Sequence, residues 1–302
     1  MSMFSSTKMS SLKIKRINDT KLVLPRLPKK SLDWKGKKCL DVRYWCMSIL
    51  GKRRSGKSSL IYTLLKEFTN RGIIVLFFVP TFYKDDTYLS MRNYLEKRKI
   101  GYQAYTSIEE EGVNNIDMFM DVNNGEEIDI EEEDLNGVLH EKITPTVSPT
   151  LGKVGCNFGF ECQQEKQVTK EEKKEEKPRI KKEIEYLIIF DDMSGSLRNP
   201  SVIKLCKNSR HYKCKIILSS QSIVDLSPQT HQQLDYCVLF KNFNEQSLEQ
   251  VYSKLQPNIS FPEFVELYEK VTNSKTGKLN NFLLIDRANE SYRVNLCDKI
   301  EL

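Results

Sequence analysis

The sequence predicts an α/β fold with a mostly parallel central sheet flanked by helices, and three observations carry that expectation. Short continuous apolar runs have the length of strands buried on both faces: Tyr44 to Leu50, Ile73 to Val79, Tyr186 to Phe190, Lys215 to Ser219 and Tyr236 to Phe240. Segments with apolar residues at helical spacing separate most of these runs. Gly51, Gly72 and Pro80 punctuate the boundaries. Strands that alternate with helices imply a parallel sheet covered on both faces.

Taken in order, residues 1–43 show no sustained period and read as a flexible arm. Its basic residues (Lys13, Lys15, Arg16, Lys29, Lys30, Lys35, Lys37, Lys38) suit either a nucleic-acid backbone or plain solvation. The run from Tyr44 is the first strand. Ser58 to Asn70 is a helix, with Leu60, Ile61, Leu64, Leu65 and Phe68 on one face. A second strand, Ile73 to Val79, precedes a helix over 85–99 with Leu89, Tyr94 and Leu95 turned inward, and a short strand at 102–105. Composition then breaks: Glu109 to Asp134 is acidic without a Lys or Arg, and Lys166 to Glu183 is a Lys/Glu run. Such blocks bury too little apolar surface to offset their ordering entropy, so 107–184 is expected to be a largely disordered insertion. A short ordered piece near Asp117 to Val122 stays open. The core domain is therefore expected over 44–106 and 185–302. Its second half adds helices at 200–210, 245–255 and 261–273, and a final strand pair, 282–286 and 292–296, around Ala288-Asn289-Glu290.

The chain has 302 residues, 39% hydrophobic and 29% charged, as expected of a globular core diluted by a solvated segment. No apolar run approaches the roughly 20 residues that cross a bilayer. The N-terminus also lacks a signal-peptide core. The expectation is an intracellular protein without a membrane partner. Cys46, Cys206, Cys214 and Cys237 lie in apolar stretches and read as small core residues. Cys156 and Cys162 lack a second ligand pair at zinc-site spacing, so reduced, structural thiols are expected.

Chemistry concentrates in two segments. Gly51-Lys52-Arg53-Arg54-Ser55-Gly56-Lys57-Ser58, followed by Ser59, satisfies the phosphate-loop pattern between a buried strand and an amphipathic helix. Gly51 and Gly56 are expected to supply backbone angles that turn successive N–H groups toward an anion. Lys57 brings a compact positive charge to the β- and γ-phosphates. The Ser58 hydroxyl suits Mg²⁺, and the helix adds its positive end. Leu187-Ile188-Ile189-Phe190-Asp191-Asp192 places an acid where a strand ends beside that loop. Asp191 is the second metal-site residue. Asp192 either polarises an attacking water or opens a turn with Gly195. The fold expected is that of a P-loop nucleoside triphosphatase. The strands at 73–79 and 102–105, between the two motifs, point to the additional-strand class. Gln221, past the strand ending at Ser219, either reads the γ-phosphate through its neutral amide or merely ends a strand.

These motifs resemble those of FtsK/HerA-superfamily genome-packaging ATPases of the poxvirus, large DNA virus, virophage and Polinton (Maverick) type. The matching pieces are the phosphate loop, Leu187 to Asp192, Asn208-Ser209-Arg210-His211, Ile216-Ile217-Leu218-Ser219-Ser220-Gln221 and Val238-Leu239-Phe240-Lys241. The resemblance implies an oligomeric ring that hydrolyses ATP and drives double-stranded DNA into a capsid, against a capsid or portal-like vertex protein. It also implies that Arg210 reaches a neighbour's site. A helix-end cation is the other reading of Arg210, and Arg53 or Arg54 acting in cis is another source of the same charge. The insertion at 107–184 is not part of the family pattern. No nuclease-like cluster of acids follows the core. Other FtsK/HerA-like translocases, of plasmid mobilisation or segregation, and a nucleotide-gated binding protein are the alternatives. A small-molecule kinase fits the loop but neither the extra strands nor the Arg210–Gln221 spacing.

Overall fold

A computed structural model describes residues 34–124, 184–273 and 281–301. The chain divides into two units, Met1–Trp34 and Lys35–Leu302. All that follows concerns the second. Its strands begin with β1 (Cys46–Leu50), β2 (Ile73–Phe78), β3 (Tyr102–Tyr105), β4 (Glu109–Glu110) and β5 (Val113–Asn114), and continue after 183 with β6 (Glu185–Phe190), β7 (Cys214–Ser220) and β8 (Tyr236–Phe240). The last three are β9 (Phe282–Asp286), β10 (Ser291–Val294) and β11 (Asp298–Ile300). The helices are α1 (Lys57–Phe68), α2 (Asp86–Arg98), α3 (Asn115–Asn124), α4 (Pro200–Lys207), α5 (Pro228–Gln233), α6 (Glu245–Leu255) and α7 (Phe261–Asn273).

The apolar runs form strands because both of their faces are covered. Successive side chains of a strand point to opposite faces, and the two cores divide by that parity. Cys46, Leu50, Leu76, Phe78, Ile188, Phe190, Ile216 and Leu218 face one core, with Met120, Leu205, Val251 and Phe264 from the helices above them. Met47, Ile49, Val75, Phe77, Leu187, Ile189 and Ile217 face the other, with Leu60, Leu64, Phe68, Met91 and Leu95 of α1 and α2. The register keeps each set together: Phe78 stands opposite Phe190, and Phe190 opposite Leu218. The Phe78 and Phe190 rings stack at 4.7 Å.

Among the described residues the main sheet has nine strands in the order β11-β10-β9-β8-β1-β7-β6-β2-β3. From β3 to β8 all pairings are parallel, and β9, β10 and β11 extend the sheet antiparallel. The additional strand is thus real, but its identity differs from the sequence argument. The strand between β1 and β6 is β7, which follows Asp191 in the chain, whereas β2 and β3 lie outside β6. Chain order does not report spatial order once crossovers are long.

Other differences have simple causes. The ordered chain begins before Tyr44: residues 35–39 form turns and Leu40 is fully buried. Order also continues past 107 through β4, β5 and α3, where Ile116, Phe119 and Met120 are buried despite the acidic neighbours. The rest of the expected insertion, with Cys156 and Cys162, lies outside the described residues, as do residues 1–33 of the arm. On α2 the inward residues are Tyr88, Met91 and Leu95, while Leu89 is 44% exposed. The helix expected over 200–210 ends at Lys207. Cys46, Cys206, Cys214 and Cys237 are buried, as expected.

Candidate nucleotide-binding site

Parallel strands bring the ends of β1, β2, β6, β7 and β8 to one edge of the sheet, and the loops after them converge there. Ligands of open α/β sheets bind at this carboxyl edge. The loop after β1 turns straight into α1, whose N-cap is Gly56 at φ 110 with no side-chain cap. The first N–H groups of α1 therefore have no side-chain acceptor, and the helix dipole adds positive potential to them. An anion is the natural partner.

Gly56 needs its glycine for backbone angle, as the sequence suggests. Gly51 needs its own for a different reason: its φ is not left-handed, but a Cβ there would lie 2.4 Å from the Ser55 Oγ and 3.0 Å from the Phe240 Cβ. Close packing against β8 excludes a side chain at Gly51. Its N–H donates to the Ser220 carbonyl at 3.2 Å, which ties the start of the loop to the end of β7. Arg54, not a glycine, takes the left-handed conformation at φ 63.

Lys57 is 8% exposed, and its ammonium donates to the Gly51 carbonyl at 2.8 Å and the Lys52 carbonyl at 3.3 Å. Two of its three donors hold the loop closed, and the third remains for a phosphate. Arg54, Ser55, Gly56, Lys57, Ser58 and Ser59 line a cavity of about 250 Å³. Lys52, Arg53 and Arg54 are exposed around it. A larger hollow, about 480 Å³, lies against α6 and α7, lined by Glu249, Tyr252, Ser253, Gln256, Pro257 and Phe261. It has no basic lining residue, so the smaller cavity is the chemically equipped one.

Asp191 sits one residue past β6, its N–H donating to the Phe78 carbonyl at 3.2 Å. It is 2% exposed, and its Oδ2 accepts from the Ser58 Oγ at 3.3 Å and the Tyr88 hydroxyl at 2.5 Å. Its Oδ1 is buried without a hydrogen-bond partner. An unpaired buried carboxylate oxygen costs several kcal/mol unless a cation or ordered water satisfies it. The donor set therefore fits Mg²⁺, which takes few protein ligands and completes its shell with water and phosphate oxygens. Among the described residues no group of three or more His, Cys, Asp or Glu side chains could hold a metal alone.

Asp192 is exposed, in the left-handed region at φ 55. Partial burial and the neighbouring Asp191 charge raise its carboxyl above the usual range, opposed by Lys57 and Arg53. The charges of the phosphate loop's cations therefore reach Asp192. Gln221 is exposed immediately after β7, between the Asp191 and Gly51 strands. Its loop is pinned behind it by a capping box, Ser222 with Asp225, and by the Ser220 hydroxyl bonded to Asp225.

Arg210 is placed elsewhere. It precedes β7, at the end of the sheet opposite the phosphate loop, 78% exposed and 4.0 Å from Asp235. The seven residues of β7 put it about 20 Å from its own chain's site. The last turn of α4 carries Lys204 and Lys207, so Arg210 is not that helix's terminal cation. Two contributors escaped the sequence: Tyr88, 103 residues from Asp191, and the Ser222–Asp225 box. Only the second has a local signature, Ser-x-x-Asp ahead of an apolar residue.

Strand order, loop and acid together define a P-loop nucleoside triphosphatase fold of the additional-strand class. No protein-family model matches the chain, and no curated protein matches it. Solved structures similar to it include the genome-packaging NTPase B204 of Sulfolobus turreted icosahedral virus 2 in complex with ATP-gammaS, at 16% identity and TM-score 0.43 over 84% of this chain and 97% of that one. The DNA-packaging ATPase B204 of Sulfolobus turreted icosahedral virus is 18% identical at TM-score 0.44, over 84% and 98% of the two chains. The cytoplasmic domain of the Thermomonospora curvata type VII secretion ATPase EccC is 17% identical at TM-score 0.40, over 79% of this chain and 24% of that one.

Proposed function

We propose that this chain hydrolyses ATP and uses the energy to translocate double-stranded DNA, as a ring-forming motor that packages a viral or virus-like genome. The observation that carries the nucleotide reading is the meeting of Lys57, Ser58 and Asp191 across 133 residues of sequence at one sheet edge. The packaging reading leans on the sequence resemblance of the segments Leu187 to Asp192, Asn208 to His211 and Ile216 to Gln221.

In this mechanism the loop N–H groups and Lys57 bind the β- and γ-phosphates. Ser58 and Asp191 would hold Mg²⁺, which when bound would supply Lewis-acid neutralisation of the phosphate charge. Asp192 orients and deprotonates the attacking water. Gln221, presented from the intervening strand, hydrogen-bonds that water and the γ-phosphate. Arg210, too far to serve its own site, neutralises charge on a neighbour's γ-phosphate; Arg53 is the cis candidate, since it lies near Asp192. A capsid or portal-like vertex protein is the proposed docking partner, and action inside the cell the proposed setting. Among the described residues no helix is long and apolar enough to cross a membrane.

The test is ATP hydrolysis by the purified full chain with and without duplex DNA, with its mass in solution. Duplex is expected to stimulate the rate at low salt, and the stimulation to fall as salt rises because phosphate contacts release counterions. An unchanged rate at saturating duplex ends the motor reading and leaves the nucleotide site standing.

A further inference from the structure

We propose that Tyr88 is a positioning residue that fixes the Asp191 carboxylate so that its second oxygen is presented to the metal. The inference rests on the Mg²⁺-nucleotide reading above and assigns the site a residue outside both motifs.

Tyr88 belongs to the first turn of α2, and that turn is anchored: the Asp85 carboxylate caps it by accepting from the Thr87 N–H at 2.7 Å. The ring is 2% exposed, held edge-on by Phe77 at 6.2 Å and tilted against Phe82 at 5.5 Å. From this fixed ring the hydroxyl donates to the Asp191 Oδ2 at 2.5 Å, shorter than the 3.3 Å contact from Ser58. The terminal torsion of an aspartate is broad and roughly two-fold, so nothing intrinsic selects which oxygen faces which way. Two donors on Oδ2 remove that freedom. They leave Oδ1, buried and without a partner, as the atom for a cation or its water. A ring serving only to fill space would be equally satisfied by phenylalanine, and the hydroxyl is what the proposal needs.

The discriminating variant is Tyr88→Phe, which keeps the ring and removes one oxygen. Mn²⁺ is titrated, followed by electron paramagnetic resonance, into full-length protein bound to a non-hydrolysable ATP analogue. Metal affinity is expected to fall about 10- to 100-fold, as for other outer-shell partners of metal ligands. Nucleotide affinity without metal is expected to stay unchanged. In an Asp191→Asn background the same substitution should have no further effect. A Tyr88→Phe titration superimposable on wild type, or a full drop persisting in Asp191→Asn, overturns the proposal. Wild-type protein that takes up no metal with nucleotide sinks the site reading itself, a distinct result that removes the role of Tyr88 with it. Should Tyr88→Phe not fold, ¹³Cζ-labelled tyrosine in the wild-type chain gives a second readout. One ring signal is expected to move when metal follows nucleotide, and no movement overturns the proposal.

Discussion

Asp191 and Asp192 are adjacent in sequence and sit in opposite environments. The first is 2% exposed and pinned by two hydroxyls; the second is exposed, with a left-handed backbone. A buried, fixed acid suits a metal, and an accessible one suits water. Asn tolerates the left-handed region well, so Asp192→Asn should keep the backbone. It is expected to lower turnover by about 10²- to 10⁴-fold, the usual worth of a general base, with nucleotide affinity intact. Lys57→Ala should instead weaken nucleotide binding by about 10- to 100-fold, through loss of a charge-assisted hydrogen bond. Equilibrium binding and steady-state hydrolysis on both variants check the division. An equal loss of affinity in the two would contradict it.

At the scale of elements, the edge of the sheet far from the nucleotide carries its own charged device. Lys215, the second residue of β7, is fully buried, with its ammonium 2.5 Å from the Glu185 Oε2 at the start of β6. Arg43 donates to the other carboxylate oxygen at 2.5 Å. Burial alone would raise the Glu185 carboxyl, but the hydrogen bond and charge of Lys215, then of Arg43, outweigh it and hold it below its ordinary 4.5. A lowered folded-state pKa contributes stability that is complete above the unfolded value and lost as pH falls through the folded one. Stability should therefore decline below about pH 4.5 in part through Glu185. Glu185→Gln should flatten that decline while costing about 3–5 kcal/mol at neutral pH, because Lys215 is left buried without its anion. Urea denaturation across pH reads both effects, and an unchanged acid slope would remove Glu185 from the account.

For the whole molecule, Arg210 raises the question of assembly. Its guanidinium stands at the far edge of the sheet, outside the reach of its own chain's phosphates. If it serves a neighbour, Arg210→Ala alone should lose about 10³- to 10⁵-fold in turnover, the range of an arginine finger. Mixing it with Lys57→Ala should restore activity, since one variant keeps the site and the other keeps the finger. Hydrolysis across a mixing series is the measurement. No recovery at any ratio would reassign the charge to Arg53 or Arg54.

The sequence by itself determined the parts that depend on neighbours along the chain. The Gly51 to Ser58 loop, the apolar strands and helices at 245–255 and 261–273 follow local periodicity and turn chemistry, and the structure places those elements where the pattern put them. Strand order, the reason for Gly51 and the partner of Asp191 were decided only by tertiary structure. β7 inserts between β1 and β6 although it follows both in the chain, and Phe240 closes over Gly51 from 189 residues away. Tyr88 meets Asp191 because α2 packs beneath the sheet edge, a contact no local pattern encodes. Short-range preferences are written in consecutive residues; a packed interior joins residues whose only common property is filling the same space.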